Sequence, residues 1–138
     1  MKKIIYLFFA ISLLHNFTFG QWVQQTSGVS AGLTEVRFIN QNTGWVCGNG
    51  GTILKTTNGG LNWVTQNSGV PSKPLRDIQP IDSNLVYCVG WFETILKSTD
   101  GGSSWFAVRN GLDGVGKNYI GMYFINSNTG WISGQGSY

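Results

Sequence analysis

Histidine and charged side chains are scarce in this sequence, and each shortage excludes a class of function. The 138 residues include one histidine, His15, and only 11% of them are charged. Serine is plentiful, but a nucleophilic serine needs a base to activate it. Two cysteines do not make a zinc site without further ligands. We therefore expect no catalytic residues, no metal site and no cofactor.

The N-terminus has the pattern of a secretory signal peptide. Lys2 and Lys3 precede an apolar run over residues 4–14, and the small residues Thr18 and Gly20 follow. The run is shorter than the ~20 residues that a membrane span needs. We predict a signal peptide over 1–20 and a secreted, periplasmic or cell-surface protein; an uncleaved anchor is the alternative.

Removal of this leader changes the charge balance and takes His15 with it. Nine basic residues less Lys2 and Lys3 leave seven, against six acidic ones, so the net charge falls from +3 to +1. No basic patch remains to indicate nucleic acid as a partner, and no stable membrane insertion is expected. The remaining Gly, Asn, Thr, Ser and aromatic residues are typical of strands joined by tight turns.

The chain repeats itself at an offset of 42 residues. "KTTNGGLNW" (55–63) returns as "KSTDGGSSW" (97–105). A third copy starts about 44 residues after the second, where "FINSNTGWISG" (124–134) repeats "FINQNTGWVCG" (38–48). A partial copy precedes them, since "WVQQTSGV" (22–29) echoes "WVTQNSGV" (63–70). A period of this length with several short strands indicates an all-β protein built from the four-stranded antiparallel blades of a β-propeller.

The first full unit predicts strands at Glu35–Asn40, Trp45–Gly48, Thr52–Thr56 and Trp63–Asn67. About two and a half blades are present, and a propeller typically has 4–8. We expect the N-terminal part of a six- to eight-bladed ring; a short chain completed by a partner is the alternative. The predicted segments are the signal peptide 1–20, the outer strand of the ring-closing blade 21–30, blade 1 at 31–72, blade 2 at 73–116 and an incomplete blade 3 at 117–138.

The turn before the fourth strand resembles the Asp-box, or bacterial neuraminidase repeat, of sialidases, sortilin-type domains and some glycoside hydrolases. An Asn or Asp side chain can bond the backbone amides ahead of it, and glycines allow the positive φ angles. We interpret this turn as structural, because a side chain that bonds its own turn is not free for a ligand. Its residues are Thr56, Asn58, Gly60 and Trp63 in the first copy and Ser98, Asp100, Gly102 and Trp105 in the second.

The wider unit "GWVCGNGGTILKTTNGGLNW" (44–63) resembles the repeat of the photosystem II assembly and stability factor family. The resemblance implies a propeller that acts as an assembly factor where photosystems exist. Blade 2 departs from the pattern, since "GWFET" (90–94) replaces "GNGGT" (48–52).

That departure marks the candidate binding surface. Trp91 and Phe92 occupy a turn where the first unit has Asn49 and Gly50, and exposed aromatics of this kind often mark recognition. The alternative is that they pack beneath the loop that follows the blade. Glu93 and Asp113 share this face and could act on a glycan as an acid pair, or be solvated loop charges.

We interpret the chain as a non-catalytic scaffold that binds a protein or peptide, with Arg37 and Arg76 as anion contacts along the channel. The rival is a carbohydrate-binding, glycosidase-like or sialidase-like propeller with Trp91 as the sugar platform. The three arginines, Arg37, Arg76 and Arg109, are not expected to converge on a substrate carboxylate as a sialidase needs. A purely structural repeat is a third possibility, because propellers host many functions.

Cys47 and Cys88 are one position out of register between the blades, so they point to opposite faces of neighbouring sheets. They could face each other, but sheets pack about 10 Å apart and a disulfide needs Cβ atoms about 3.8 Å apart. We expect two buried free thiols.

Overall fold

The computed structural model describes residues 23–111 and 116–136, and within them it contains three antiparallel sheets. The first sheet has the order β1-β2-β3-β4 and the second β5-β6-β7-β8, so each strand pairs with the next along the chain. These are the predicted four-stranded blades, and the all-β assignment is confirmed. The strands are β1 Leu33–Phe38, β2 Gly44–Gly48, β3 Ile53–Thr56, β4 Val64–Gln66, β5 Leu75–Pro80, β6 Val86–Gly90, β7 Thr94–Ser98 and β8 Phe106–Arg109.

The third sheet has two strands, β9 (Asn118–Asn126) and β10 (Thr129–Gln135). Residues 23–32 lie in no sheet, although Gln25 Nε2 donates to the Gly59 carbonyl at 3.3 Å. The predicted outer strand at 21–30 requires a neighbouring strand that the described residues do not contain, so it stays a prediction. The predicted signal peptide lies outside the described residues. Within them, no helix has the length and apolar character to cross a membrane.

The first strand of the first sheet ends earlier than predicted, because an Asx turn follows it. β1 stops at Phe38 rather than Asn40. Asn40 Oδ1 accepts the amides of Asn42 and Thr43 at 2.9 and 2.8 Å and so closes the turn. Asp82 accepts two amides in the same way after β5, and these bonds lower the pKa of its carboxyl.

The core lies between the first two sheets. It takes alternate residues of β2 (Trp45 and Cys47) and of β6 (Val86 and Cys88), so one face of the first sheet packs against the opposite face of the second. Cys47 and Cys88 are fully buried in it and are both free thiols, as expected. Burial raises the pKa of the Cys88 thiol, and the adjacent Cys47 raises it further. The core residues are Trp45, Cys47, Ile53, Val70, Leu75, Ile78, Val86, Cys88 and Leu96.

Side chains of β5 hold the third sheet against the second. Asp77 Oδ2 accepts the Met122 amide at 2.7 Å, and Gln79 bonds both the amide and the carbonyl of Phe124. The Phe124 ring stacks on Tyr87 with centroids 4.5 Å apart. The polar positions of β5 therefore act as backbone partners for β9.

The repeated turn is closed by its own side chains in both copies. Asn58 Oδ1 accepts the Asn62 amide at 2.9 Å, and Thr56 Oγ1 accepts the Gly60 amide at 3.0 Å. In the second copy, Asp100 accepts the Ser104 amide at 2.8 Å. These bonds occupy the acceptors that a ligand would need, which supports the structural interpretation.

Candidate functional site

The candidate site is built on the turn between β6 and β7, where three residues replace the first blade's Asn49–Gly51. Phe92 and Glu93 have φ angles of 57° and 55°, close to the 64° and 65° of Gly50 and Gly51. Glycine adopts this left-handed region freely, whereas other residues pay roughly 1–2 kcal/mol each. The second blade therefore retains side chains in a turn whose backbone favours glycine, and such strain is concentrated at functional sites.

The loop between β8 and β9 holds this turn in place. The Glu93 amide donates to the Lys117 carbonyl at 2.8 Å, and the Phe92 amide donates to Asn118 Oδ1 at 3.2 Å. On the other side, the Gly111 amide donates to the Phe92 carbonyl at 2.9 Å. Phe92 is half-buried. Its two alternatives, recognition and packing beneath the loop, both stay predictions.

Glu93 is paired with Arg109 rather than poised as an acid. Arg109 Nε and Nη2 lie 3.0 and 2.5 Å from Glu93 Oε2. The hydrogen bond from Arg109 is the main reason why the pKa of Glu93 is lowered. A glycosidase acid needs a raised pKa to carry its proton near neutral pH. The other member of the proposed pair, Asp113, lies outside the described residues.

Trp91 has a cationic partner that the sequence did not assign to it. The guanidinium carbon of Arg76 lies 4.5 Å from the centroid of the Trp91 ring, which is cation–π distance. Both residues are half-buried. The first blade has Thr34 and Asn49 at the equivalent positions, so this pair is specific to the second blade.

Lys73 is a further component that sequence reasoning missed. It is only 6% exposed, its Nζ donates to the Gly111 carbonyl, and it lies 5.8 Å from the centroid of the Phe92 ring. The buried ammonium group of Lys73 therefore contacts both the Phe92 ring of the turn and the Gly111 carbonyl of the following loop. The segment "PSKPL" (71–75) that contains it has no pattern from which this burial could be read.

Arg37 does not join the site. It lies near the end of β1, opposite Trp45, whereas Arg76 lies at the start of β5, at the other end of the neighbouring strand. Its Nη1 is 2.9 Å from Glu35 Oε1 on the same face. Arg37 lines a separate cavity of about 230 Å³ with Gln79 and Tyr123.

The described residues contain no group of three or more His, Cys, Asp or Glu side chains that could hold a metal ion. Arg76 and Arg109 each contact a residue of this turn, Trp91 and Glu93 respectively, and we call these four residues the Trp91 surface. The buried Lys73 contacts the same turn through the Phe92 ring. The Trp91 surface offers an aromatic ring and a guanidinium whose N–H donors can bind a carboxylate.

Comparison with known proteins identifies the fold. No family model matches the chain, and no curated relative matches it. A solved structure of YCF48 from Cyanidioschyzon merolae superposes with a TM-score of 0.66, at 20% identity, over 78% of this chain and 36% of its own. Another, described as YCF48 bound to D1 peptide, gives a TM-score of 0.64, at 20% identity, over 80% of this chain and 35% of its own.

These similarities establish a partial β-propeller with YCF48-like architecture. The chain spans about a third of the length of the solved chains that it matches. At 20% identity the structural similarity shows the fold alone, and partners and activity need evidence of their own.

Proposed function

We propose that the chain is a non-catalytic propeller scaffold that binds an extended, acidic polypeptide at the Trp91 surface. The observation that carries this proposal is the Arg76–Trp91 pair, in which a guanidinium lies 4.5 Å from the centroid of an indole ring. A guanidinium that lies over a ring can still use its edge donors for a carboxylate, while the ring offers apolar area.

Three further features support this surface. Phe92 and Glu93 keep a strained backbone where the sibling blade has glycines. The Glu93–Arg109 ion pair and Lys73 hold the turn in one conformation, which lowers the ordering cost of binding. One of the similar structures is YCF48 bound to D1 peptide, so a propeller of this architecture binds a peptide.

The test uses a labelled peptide that alternates Glu with Ala and a matched peptide that alternates Lys with Ala. We expect the acidic peptide to bind. The substitutions Arg76→Gln and Trp91→Ala should each lower the affinity for this peptide by about fivefold or more. Lys97→Gln removes the same charge from β7, away from the Trp91 surface, and serves as the control. Equal affinity for both peptides, or an Arg76→Gln result equal to the control, would overturn the proposal.

We also propose that the scaffold acts outside the cytoplasm, on the basis of the leader pattern over residues 1–20. Expression of the chain behind its own N-terminus in a bacterial host should give a mature protein that begins at Gln21. N-terminal sequencing of the exported fraction tests this, and an intact Met1 in the cell pellet would contradict it.

A further inference from the structure

Asparagine is followed directly by glycine at Asn49, Asn58 and Asn110. This dipeptide is prone to spontaneous deamidation, because a glycine has no side chain to hinder the attack of its nitrogen on the asparagine amide. The attack requires a glycine N–H that is free to lose its proton and an asparagine side chain that is free to turn towards it. The three sites therefore differ in how the structure holds these two groups.

Two of the three glycine amides are held by hydrogen bonds. The Gly59 amide donates to the Asn42 carbonyl at 2.8 Å, and the Gly111 amide donates to the Phe92 carbonyl at 2.9 Å. The side chain of Asn58 is also fixed, because its Oδ1 accepts bonds within the repeated turn. Deamidation at either site therefore first requires local opening of the structure.

The turn at Asn49 lacks both restraints. The Gly50 amide donates no hydrogen bond among the described residues, and the side chain of Asn49 makes none with them. Both residues are exposed. The attacking nitrogen and the side chain it attacks are therefore accessible in the folded protein.

The second blade shows why the Gly50 amide is unpaired. The equivalent amide there, that of Phe92, donates to Asn118 Oδ1 at 3.2 Å. Pro74 occupies the position equivalent to Asn118, and its side chain has no acceptor. The flanking bonds that establish this equivalence are Asn49 N to Gly32 O and Gly51 N to Lys73 O in the first blade, and Trp91 N to Pro74 O and Glu93 N to Lys117 O in the second.

We propose that Asn49 is a site of spontaneous deamidation, selected because Pro74 leaves the Gly50 amide without an acceptor. The Gly50 nitrogen loses its proton and forms a bond to Asn49 Cγ, and the side-chain nitrogen leaves with that proton as ammonia. Water then opens the succinimide ring at either carbonyl and gives aspartate or isoaspartate. The net change consumes one water and releases one ammonia, so it needs no oxidant and no other co-reactant.

The modification changes the chemistry of the turn. The Asn49 carbonyl accepts both the amide and the hydroxyl of Thr52, at 3.3 and 2.8 Å. In isoaspartate the main chain runs through Cγ, and the former main-chain carbonyl becomes part of a free carboxylate. The acceptor for Thr52 therefore leaves the backbone and acquires a negative charge, in the turn equivalent to the one that carries Trp91.

The test incubates the full chain in mildly alkaline buffer and follows each of the three sites by peptide mapping. Mass spectrometry detects the gain of about one dalton, and enzymatic methylation detects isoaspartate. We expect Asn49 to react about tenfold or more faster than Asn58 and Asn110 in the folded protein. In denaturant the three sites should react at similar rates, because the hydrogen bonds that distinguish them are absent.

Pro74→Asn is the variant that supplies the missing acceptor, as Asn118 does in the second blade. It should slow the reaction at Asn49 by about threefold or more. Pro74→Ala removes the proline ring without adding an acceptor and is the matched control, so it should react within about twofold of the unchanged chain. Thermal unfolding of both variants checks that they fold.

Equal rates at the three sites of the folded chain, or faster reaction at Asn58 or Asn110, would overturn the proposal. A difference between the sites that persists in denaturant would place its cause in the local sequence, with the same consequence. Equal rates in Pro74→Asn and Pro74→Ala would overturn the role given to the missing acceptor.

Discussion

Trp45 Nε1 donates a 3.1 Å hydrogen bond to the carbonyl of Gly101, 56 residues further along the chain. The indole is fully buried, and Gly101 lies in the repeated turn of the next blade. Each repeated turn thus closes its own blade, and the second one also accepts a bond from the aromatic of the blade before it. The repeated turn therefore stabilises the contact between neighbouring sheets as well as the turn within its own sheet.

Trp45→Phe should therefore destabilise the protein by about 1–3 kcal/mol, because the buried Gly101 carbonyl loses its donor and the smaller ring leaves space. Urea denaturation measures the change in the free energy of unfolding. The control is Tyr87→Phe at the equivalent position of the second blade, which keeps the ring that stacks on Phe124 and should cost less than about 1 kcal/mol. Equal costs for the two variants would contradict the role given to the Trp45 bond.

The adjacent glycines of the first blade's turn should respond differently to alanine. A Cβ at Gly50 would meet only the Pro71 carbonyl oxygen, at 3.6 Å, so Gly50→Ala should cost about 1–2 kcal/mol of backbone strain. A Cβ at Gly51 would lie 2.1 Å from the Val70 oxygen, so Gly51→Ala should cost about 3 kcal/mol or more. Thermal unfolding compares the pair, and a Gly51→Ala protein as stable as Gly50→Ala would show that the contact with Val70 is not rigid.

Acid should weaken the second repeated turn more than the first. Bonds from the side chain and amide of Ser104 lower the pKa of Asp100 from 3.8 to about 2. Because this pKa is lower in the folded state than in the unfolded state, the ionised Asp100 carboxylate stabilises the fold above about pH 4. This stabilisation is lost as the pH falls from about 4 towards 2. The first turn has Asn58 at this position, so Asp100→Asn should keep the turn and remove its share of this pH dependence.

The measurement is the free energy of unfolding at pH 4, 3 and 2, with Asn58→Asp as the reciprocal variant. The pKa values of Asp82 and Glu93 are also lowered, so these groups also lose their contributions to stability as the pH falls. The difference between the variants and the unchanged protein therefore isolates the contribution of Asp100. An unchanged slope in Asp100→Asn would refute the assignment.

The two cysteines should be unreactive in the folded protein. Both are fully buried, and burial raises the pKa of Cys88, so little thiolate is present at neutral pH. A thiol reagent should label them only after denaturation, at two thiols per chain. Rapid labelling under native conditions, or an intact mass lower by two hydrogens, would contradict the free and buried state.

Most of the fold could be predicted from the repeat, because its turn residues and aromatics recur in one register. The ends of the strands were less accurate. Asn40 was assigned to the first strand, but its side chain closes the following turn, and a repeat offset does not distinguish these roles. Cys47 and Cys88 were placed correctly, because side-chain alternation along a strand determines the face of each.

The candidate site was only partly accessible from the sequence. Trp91 could be identified because it replaces a polar turn residue of the sibling blade. Its contact with Arg76 could not, because that contact depends on how β5 sits beside the turn. Glu93 was interpreted as a possible acid, but its pairing with Arg109 depends on where β8 ends relative to the turn. Such contacts are properties of packing between elements rather than of a local pattern.

The affinity of the Glu-Ala peptide for the chain and for its Arg76→Gln variant is the most direct test of the scaffold proposal. The account predicts saturable binding by the unchanged chain, a loss of about fivefold or more in Arg76→Gln, and little change in the Lys97→Gln control. Affinity that is equal in all three proteins would contradict the proposal and leave the Arg76–Trp91 pair as a packing contact.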